Sequence, residues 1–160
     1  MTMVVPSLFN SLSGASIHAD AKTVSIPFFP NSSSYVSPTL SALFTDELRE
    51  RFASRTKLEV ISSGFEEGDL HIEGEIVNTS ATPTAVTASS DYPASQMRLT
   101  VTVRVRFRNK LEPNLNFERT FAQYSDYSSD ITIQAAEGEH LPIIVKALVD
   151  DIFNATVQNW

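Results

Sequence analysis

The 160-residue chain contains no cysteine. Disulfides, thiolate zinc sites and cysteine nucleophiles are therefore excluded, and the redox compartment stays open. No apolar run approaches the roughly 18 residues that a membrane-spanning helix needs. The opening residues, MTMVVPSLFNSLSG, hold neither a basic n-region nor a long apolar core, so no signal peptide is visible in them. Positive charge is scarce as well. Lys and Arg number 12 against 19 Asp and Glu, a formal net charge of −7. That balance argues against a general nucleic-acid binder, because phosphate binding rests on clustered cations. The three histidines, His18, His71 and His140, have no metal-ligand spacing. No GxSxG elbow, P-loop or GxGxxG occurs, and no internal repeat. Nothing in the sequence points to catalysis or to a cofactor. Asn-x-Ser/Thr triplets occur at Asn31, Asn78 and Asn154, but a chain this rich in Ser and Thr produces them by chance.

What is there is a globular composition, 42% hydrophobic and 19% charged. The length suits one domain with a core that needs no staples. Residues 1–14 are Ser-rich and aperiodic and read as a mobile lead-in, leaving 15–160 as a single domain. TVSIPFF (23–29) alternates like a strand, with Pro27 marking an edge or a bulge. In 38–54, Leu40, Leu43, Phe44, Leu48 and Phe52 share one helical face, and Ser37 before Pro38 fits an N-cap. KLEVIS (57–62) is a short strand, so the order suggests a right-handed βαβ crossover. DLHIEGEIV (69–77) alternates again, with Gly74 on the inward face suggesting a bulge or a close helix crossing. Residues 78–96 read as a long flexible loop or an extended hairpin tip. After a strand at 97–109 and a turn, FERTFAQY (117–124) is a strand of unclear phase, because Arg119 shares a face with Phe117 and Phe121. A last helix over about 139–158 would tolerate Pro142 only in its first turn. Two helices, each with one apolar stripe, pack on one face of a mixed or antiparallel sheet of about five strands. The predicted fold class is an α+β two-layer sandwich whose other sheet face is polar.

The most regular stretch is RLTVTVRVRFRNK (98–110). Its odd positions, Leu99, Val101, Val103, Val105 and Phe107, are apolar; its even positions include Arg98, Arg104, Arg106 and Arg108, with Lys110 beyond. A strand sends alternate side chains to opposite faces, so one face is hydrocarbon and the other a row of cations. If 69–77 and 97–109 form a hairpin, Glu73 and Glu75 can neutralise Arg104 and Arg106, leaving Arg98, Arg108 and Lys110 for an acidic ligand. An RNA-binding sheet would need aromatics beside the Arg row, and Phe107 is on the opposite face. The cluster Glu66, Glu67, Asp69, His71, Glu73 and Glu75 does not follow an EF-hand pattern and reads as a solvated turn and strand face.

Several phrases together resemble a known family. LSGASI (12–17), SIPFFPN (25–31), SPTLSALFTDELRERF (37–52), GDLHIEGEI (68–76), RLTVTVRVRFRN (98–109) and DIFNATVQNW (151–160) are similar, in order and spacing, to the LptE family of lipopolysaccharide-assembly lipoproteins in its Bacteroidota form. The resemblance runs from about Leu12 to Trp160. It implies a two-layer α/β sandwich without catalysis or cofactor. It also implies a lipid anchor to the inner leaflet of the outer membrane, a place as a plug inside the LptD β-barrel, and binding of lipopolysaccharide through basic residues. The lipid-bearing cysteine that a family member carries a few residues before Gly14 is missing, and Met1 to Ser7 look like a replaced leader. The candidate lipopolysaccharide contacts, Arg98, Arg104, Arg106, Arg108 and Lys110, rest on the strand's own alternation, because Arg recognises phosphates and carboxylates bidentately. The competing reading is a stand-alone periplasmic lipid- or glycan-binding lipoprotein.

Overall fold

Alternation at period 2 and period 3.6 resolves into one mixed five-stranded sheet with two helices on a single face. The computed structural model describes residues 17–35, 37–64, 66–84 and 95–157. The lead-in read at 1–14 lies outside them. The elements are β1 (Thr23–Ser25), α1 (Leu40–Arg55), β2 (Glu59–Ile61), β3 (Leu70–Pro83), β4 (Gln96–Asn109), a 3-10 turn at Pro113–Leu115, β5 (Phe117–Ser128) and α2 (Ile133–Val157). The strands are ordered β2-β1-β3-β4-β5. β1 is parallel to β2 and to β3, whereas β3, β4 and β5 run antiparallel in turn. The β1–α1–β2 unit is thus the parallel crossover the sequence order implied.

The core lies between the helices and the apolar face of β3, β4 and β5. Leu99, Val101, Val103, Val105 and Phe107 of β4 are all buried, as are Leu70, Ile72 and Ile76 of β3. From the helices come Leu40, Phe44, Leu48 and Phe52 of α1, and Leu141, Ile144, Val145, Leu148 and Ile152 of α2. Each fully buried large side chain contributes about 1.5–3 kcal/mol. Ring contacts tie the core together: Phe29 meets Phe44 of α1 at 5.0 Å, and Phe52 of α1 meets Phe153 of α2 at 5.1 Å, both edge-on. β5 resolves its phase here, because Phe121 and Tyr127 are buried on the helix side. Arg119 shares that side but lies exposed, its guanidinium 4.6 Å from the Phe117 ring.

Some element bounds differ from the sequence expectation, each for a physical reason. β1 ends at Ser25 rather than near 29, since Pro27 has no ladder N–H. α1 starts at Leu40 with Thr39 as its N-cap, and no side-chain cap bond forms. α2 starts at Ile133, so Pro142 sits inside the helix and not in its first turn. Of the two expectations for 78–96, the described residues 78–83 follow the hairpin. The register of β3 with β4 shifts between Ile76 and Asn78 and then continues to Pro83 opposite Met97, making a long hairpin whose tip lies outside the described residues. Gly74 marks a close approach, not that bulge. A Cβ there would stand 2.0 Å from the Arg104 carbonyl oxygen and 2.9 Å from the Phe29 ring.

Candidate functional site

The helices cover one face of the sheet and leave the other open. Cross-strand register decides what the open face presents. In the β3–β4 hairpin, Glu73 lies opposite Arg106 and Glu75 opposite Arg104, the pairing expected from the alternation. On the other side of β4, Arg98 lies opposite Asp126 and Arg106 opposite Glu118. Farther along, the shift at Val77 changes the composition. Asn78 faces Thr102 and Ser80 faces Thr100, so amides and hydroxyls separate the Arg104 pair from the Arg98–Asp126 pair at the far end.

Each cation of the row has a partner, and some partners are shared. Arg98 grips Asp126 with two bonds, Nε to Oδ1 at 2.8 Å and Nη2 to Oδ2 at 3.1 Å, and its guanidinium lies 3.8 Å from the Tyr124 ring centre. The paired charge and bonding hold the Asp126 carboxyl below its ordinary range. Arg104 donates one bond to Glu75 at 3.1 Å, and Glu75 also accepts from the Ser32 hydroxyl at 2.6 Å. Arg106 donates from Nε to Glu73 at 3.3 Å. Arg108 reaches two carboxylates, Glu67 with two donors and Glu73 with one. Its bond to Glu67 holds that carboxyl below the usual range. Lys110 donates to the Glu67 backbone carbonyl at 3.0 Å, so its ammonium bonds a neutral acceptor. The ends of the row, which sequence pairing left free, are therefore occupied. Asp126 comes from β5, and Glu67 comes from the loop before β3.

Glu73 is the hub of this network. Burial pushes its carboxyl up, but bonds with His71 and Arg106 outweigh that and leave it below the ordinary value. Beside it lies a corner that alternation alone reads as solvated. His71 and Ser25 are on the open face, yet they are 4% and 0% exposed. The Ser25 hydroxyl lies 2.6 Å from His71 Nδ1, and His71 Nε2 lies 3.4 Å from Glu73. A serine, an imidazole and a carboxylate in line could suggest a nucleophile. However, Ser25 Oγ also accepts the Gly68 N–H at 2.9 Å and lies 3.3 Å from the Leu70 carbonyl. A hydroxyl buried among so many partners is not presented to a substrate, and this corner joins β1 to β3. Its sequence signal was Gly68, where a Cβ would meet Thr23 Oγ1 at 2.8 Å. No group of three or more His, Asp or Glu able to hold a metal ion occurs among the described residues.

Comparison with known proteins bears on the fold and the family. The fold is shared with a minor lipoprotein from Acinetobacter baumannii, at 11% identity and TM-score 0.51 over 84% of this chain and 91% of that one. It is shared too with a homologue of a neuraminyllactose-binding hemagglutinin from Helicobacter pylori, at 10% identity and TM-score 0.52 over 83% of each chain. At such identities the likeness is one of fold alone. No curated protein matches the sequence. The lipopolysaccharide-assembly family LptE matches residues 21–156, from just before β1 to the last turn of α2, and the chain belongs to that family.

Proposed function

We propose that the domain is the non-catalytic plug and chaperone subunit of an outer-membrane lipopolysaccharide translocon. It sits in an LptD-like β-barrel at the periplasmic face, held there by an N-terminal lipid. The LptE family is non-catalytic, and the observation that supports the plug is the self-compensated open face. The lumen of an outer-membrane barrel is polar. A surface enclosed by such a wall has to bring its charges already paired, since an unpaired buried charge costs several kcal/mol. Arg98, Arg104, Arg106 and Arg108 meet this condition with carboxylates of the same face or its rim. The segments at 30–37 and 78–96 are the proposed contacts with the barrel wall.

Within the same row, pairing strength separates anchors from exchangeable donors. Arg98 and Arg108 each make more than one bond to carboxylate. Arg104 and Arg106 make one each and are 44% and 47% exposed. Such single exposed pairs contribute about 0–1 kcal/mol, so a lipid phosphate of higher charge can displace the glutamate. In this reading Arg104, Arg106 and Lys110 take the phosphates and carboxylates of lipopolysaccharide, while Arg98 and Arg108 fix the strand's two ends and border the ligand. The test is co-purification of the lipidated full-length protein with an LptD-like barrel. Recovery of a stable complex is expected, and a clean failure to co-purify removes the plug reading. The competing reading, a stand-alone lipid- or glycan-binding lipoprotein, is favoured by one observation: a ligand-sized groove between the helices.

A further inference from the structure

That groove lies where the start of α1 crosses the first half of α2, on the side of the molecule away from the Arg row. It encloses about 370 Å³, within the range of small-molecule sites. Pro38, Leu43, Leu141 and Pro142 give it apolar walls, and Gln134 and Glu137 give it polar atoms. One side-chain acceptor there lacks a donor, and one helix carbonyl has lost its usual one. Oε1 of Glu137 is buried with no hydrogen-bond partner. The Gly138 carbonyl should receive the N–H of residue 142, but Pro142 has none. Gly138 is part of the lining, and a Cβ at that position would stand in open space, with nothing within 4 Å. The carboxylate is not idle, because a hydrogen bond with it raises the Tyr35 phenol above its ordinary range. The unmet demand is for donors with positive charge, set against hydrocarbon. The nearby helix ends carry only screened partial positive charge, whereas Glu137 carries a full negative one.

We propose that this groove binds a short amphiphile with a primary ammonium head. The ammonium donates to Glu137 Oε1, and the alkyl chain lies against Leu43, Leu141 and Pro38. An ammonium is preferred to a hydroxyl because a charge-assisted bond to a carboxylate is roughly twice as strong as a neutral one. A small ligand is preferred to a protein because a specific protein interface buries about 800 Å² on each partner, more than a groove of this size offers.

The test titrates the purified protein with hexylammonium chloride, hexanol and sodium hexanoate, following backbone amide NMR signals of Leu141 and its neighbours. Hexylammonium should give saturable shifts, and the other two should bind at least about tenfold more weakly. E137Q should weaken hexylammonium binding by about tenfold or more on the same grounds. G138L should fill the groove and abolish binding, while melting at or above the wild-type temperature because a glycine has left a helix. If G138L misfolds, E137Q carries the test. Absence of saturable shifts, equal affinity for hexanol, or unchanged binding by E137Q would each overturn the proposal.

Discussion

The two faces of β4 are built from one alternating run and behave in opposite ways. On the helix side, Leu99, Val101, Val103, Val105 and Phe107 are each at most 2% exposed and belong to the one hydrophobic core. On the open side, Arg104 and Arg106 remain nearly half exposed, each with one bond. The first face holds the fold by removing hydrocarbon from water, and its contributions are large and insensitive to salt. The second contributes little to stability, and for that reason its partners can be exchanged. A strand can thus carry fold on one face and binding on the other, with little interference between them.

The largest expected effect comes from Gly74, which lets the two faces exist at all by allowing β3 and β4 to approach. Gly74→Val places a Cβ where the Arg104 carbonyl oxygen already is. Loss of folding, or destabilisation of about 4 kcal/mol or more, is expected in a urea titration. Next comes the core itself. Phe44→Ala removes the edge-on partner of Phe29 and should cost about 3–5 kcal/mol, measured in the same way. The open face should respond far less. Glu73→Gln removes the carboxylate shared by Arg106, Arg108 and His71, at a cost of about 1 kcal/mol or less near neutrality.

The pH dependence sharpens the contrast. The folded-state pKa of Glu73 is depressed from 4.5. Its contribution to stability is therefore present above pH 4.5 and is lost as pH falls through the lower folded-state value. E73Q should flatten that part of the acid limb, whereas Phe44→Ala should lower the whole curve without changing its shape. Thermal melts of both variants between pH 3 and 7 check this.

Much of this architecture could be read from the chain. The stripes of α1 and α2 and the alternation of β4 are strong periodic signals, and they placed the core and the Arg row. The Glu73–Arg106 and Glu75–Arg104 pairs followed because a hairpin's register is local. What stayed hidden was non-local or broke a period. Residues 78–83 could be read as a polar loop or a hairpin tip; pairing with Met97–Thr102 makes them strand, and the shift at Val77 reverses their faces. Pro142 marks the first turn of a helix by rule, but α2 extends nine residues before it, from Ile133. Asp126 could be assigned to Arg98 only with the β4–β5 register known. Glu67 reaches Arg108 from a loop whose path no periodicity encodes. The burial of His71 and Ser25 depends on β1 lying beside β3, a contact between distant parts of the chain.

The central claim is that the exposed, singly bonded cations of β4 receive lipopolysaccharide. Its direct test is the affinity of R104E/R106E for lipopolysaccharide at fixed salt. The variant should keep its fold within about 1 kcal/mol of the wild type, and its binding should weaken by about tenfold or more. Wild-type affinity in a folded R104E/R106E protein would contradict the account and leave the row a device of solubility alone.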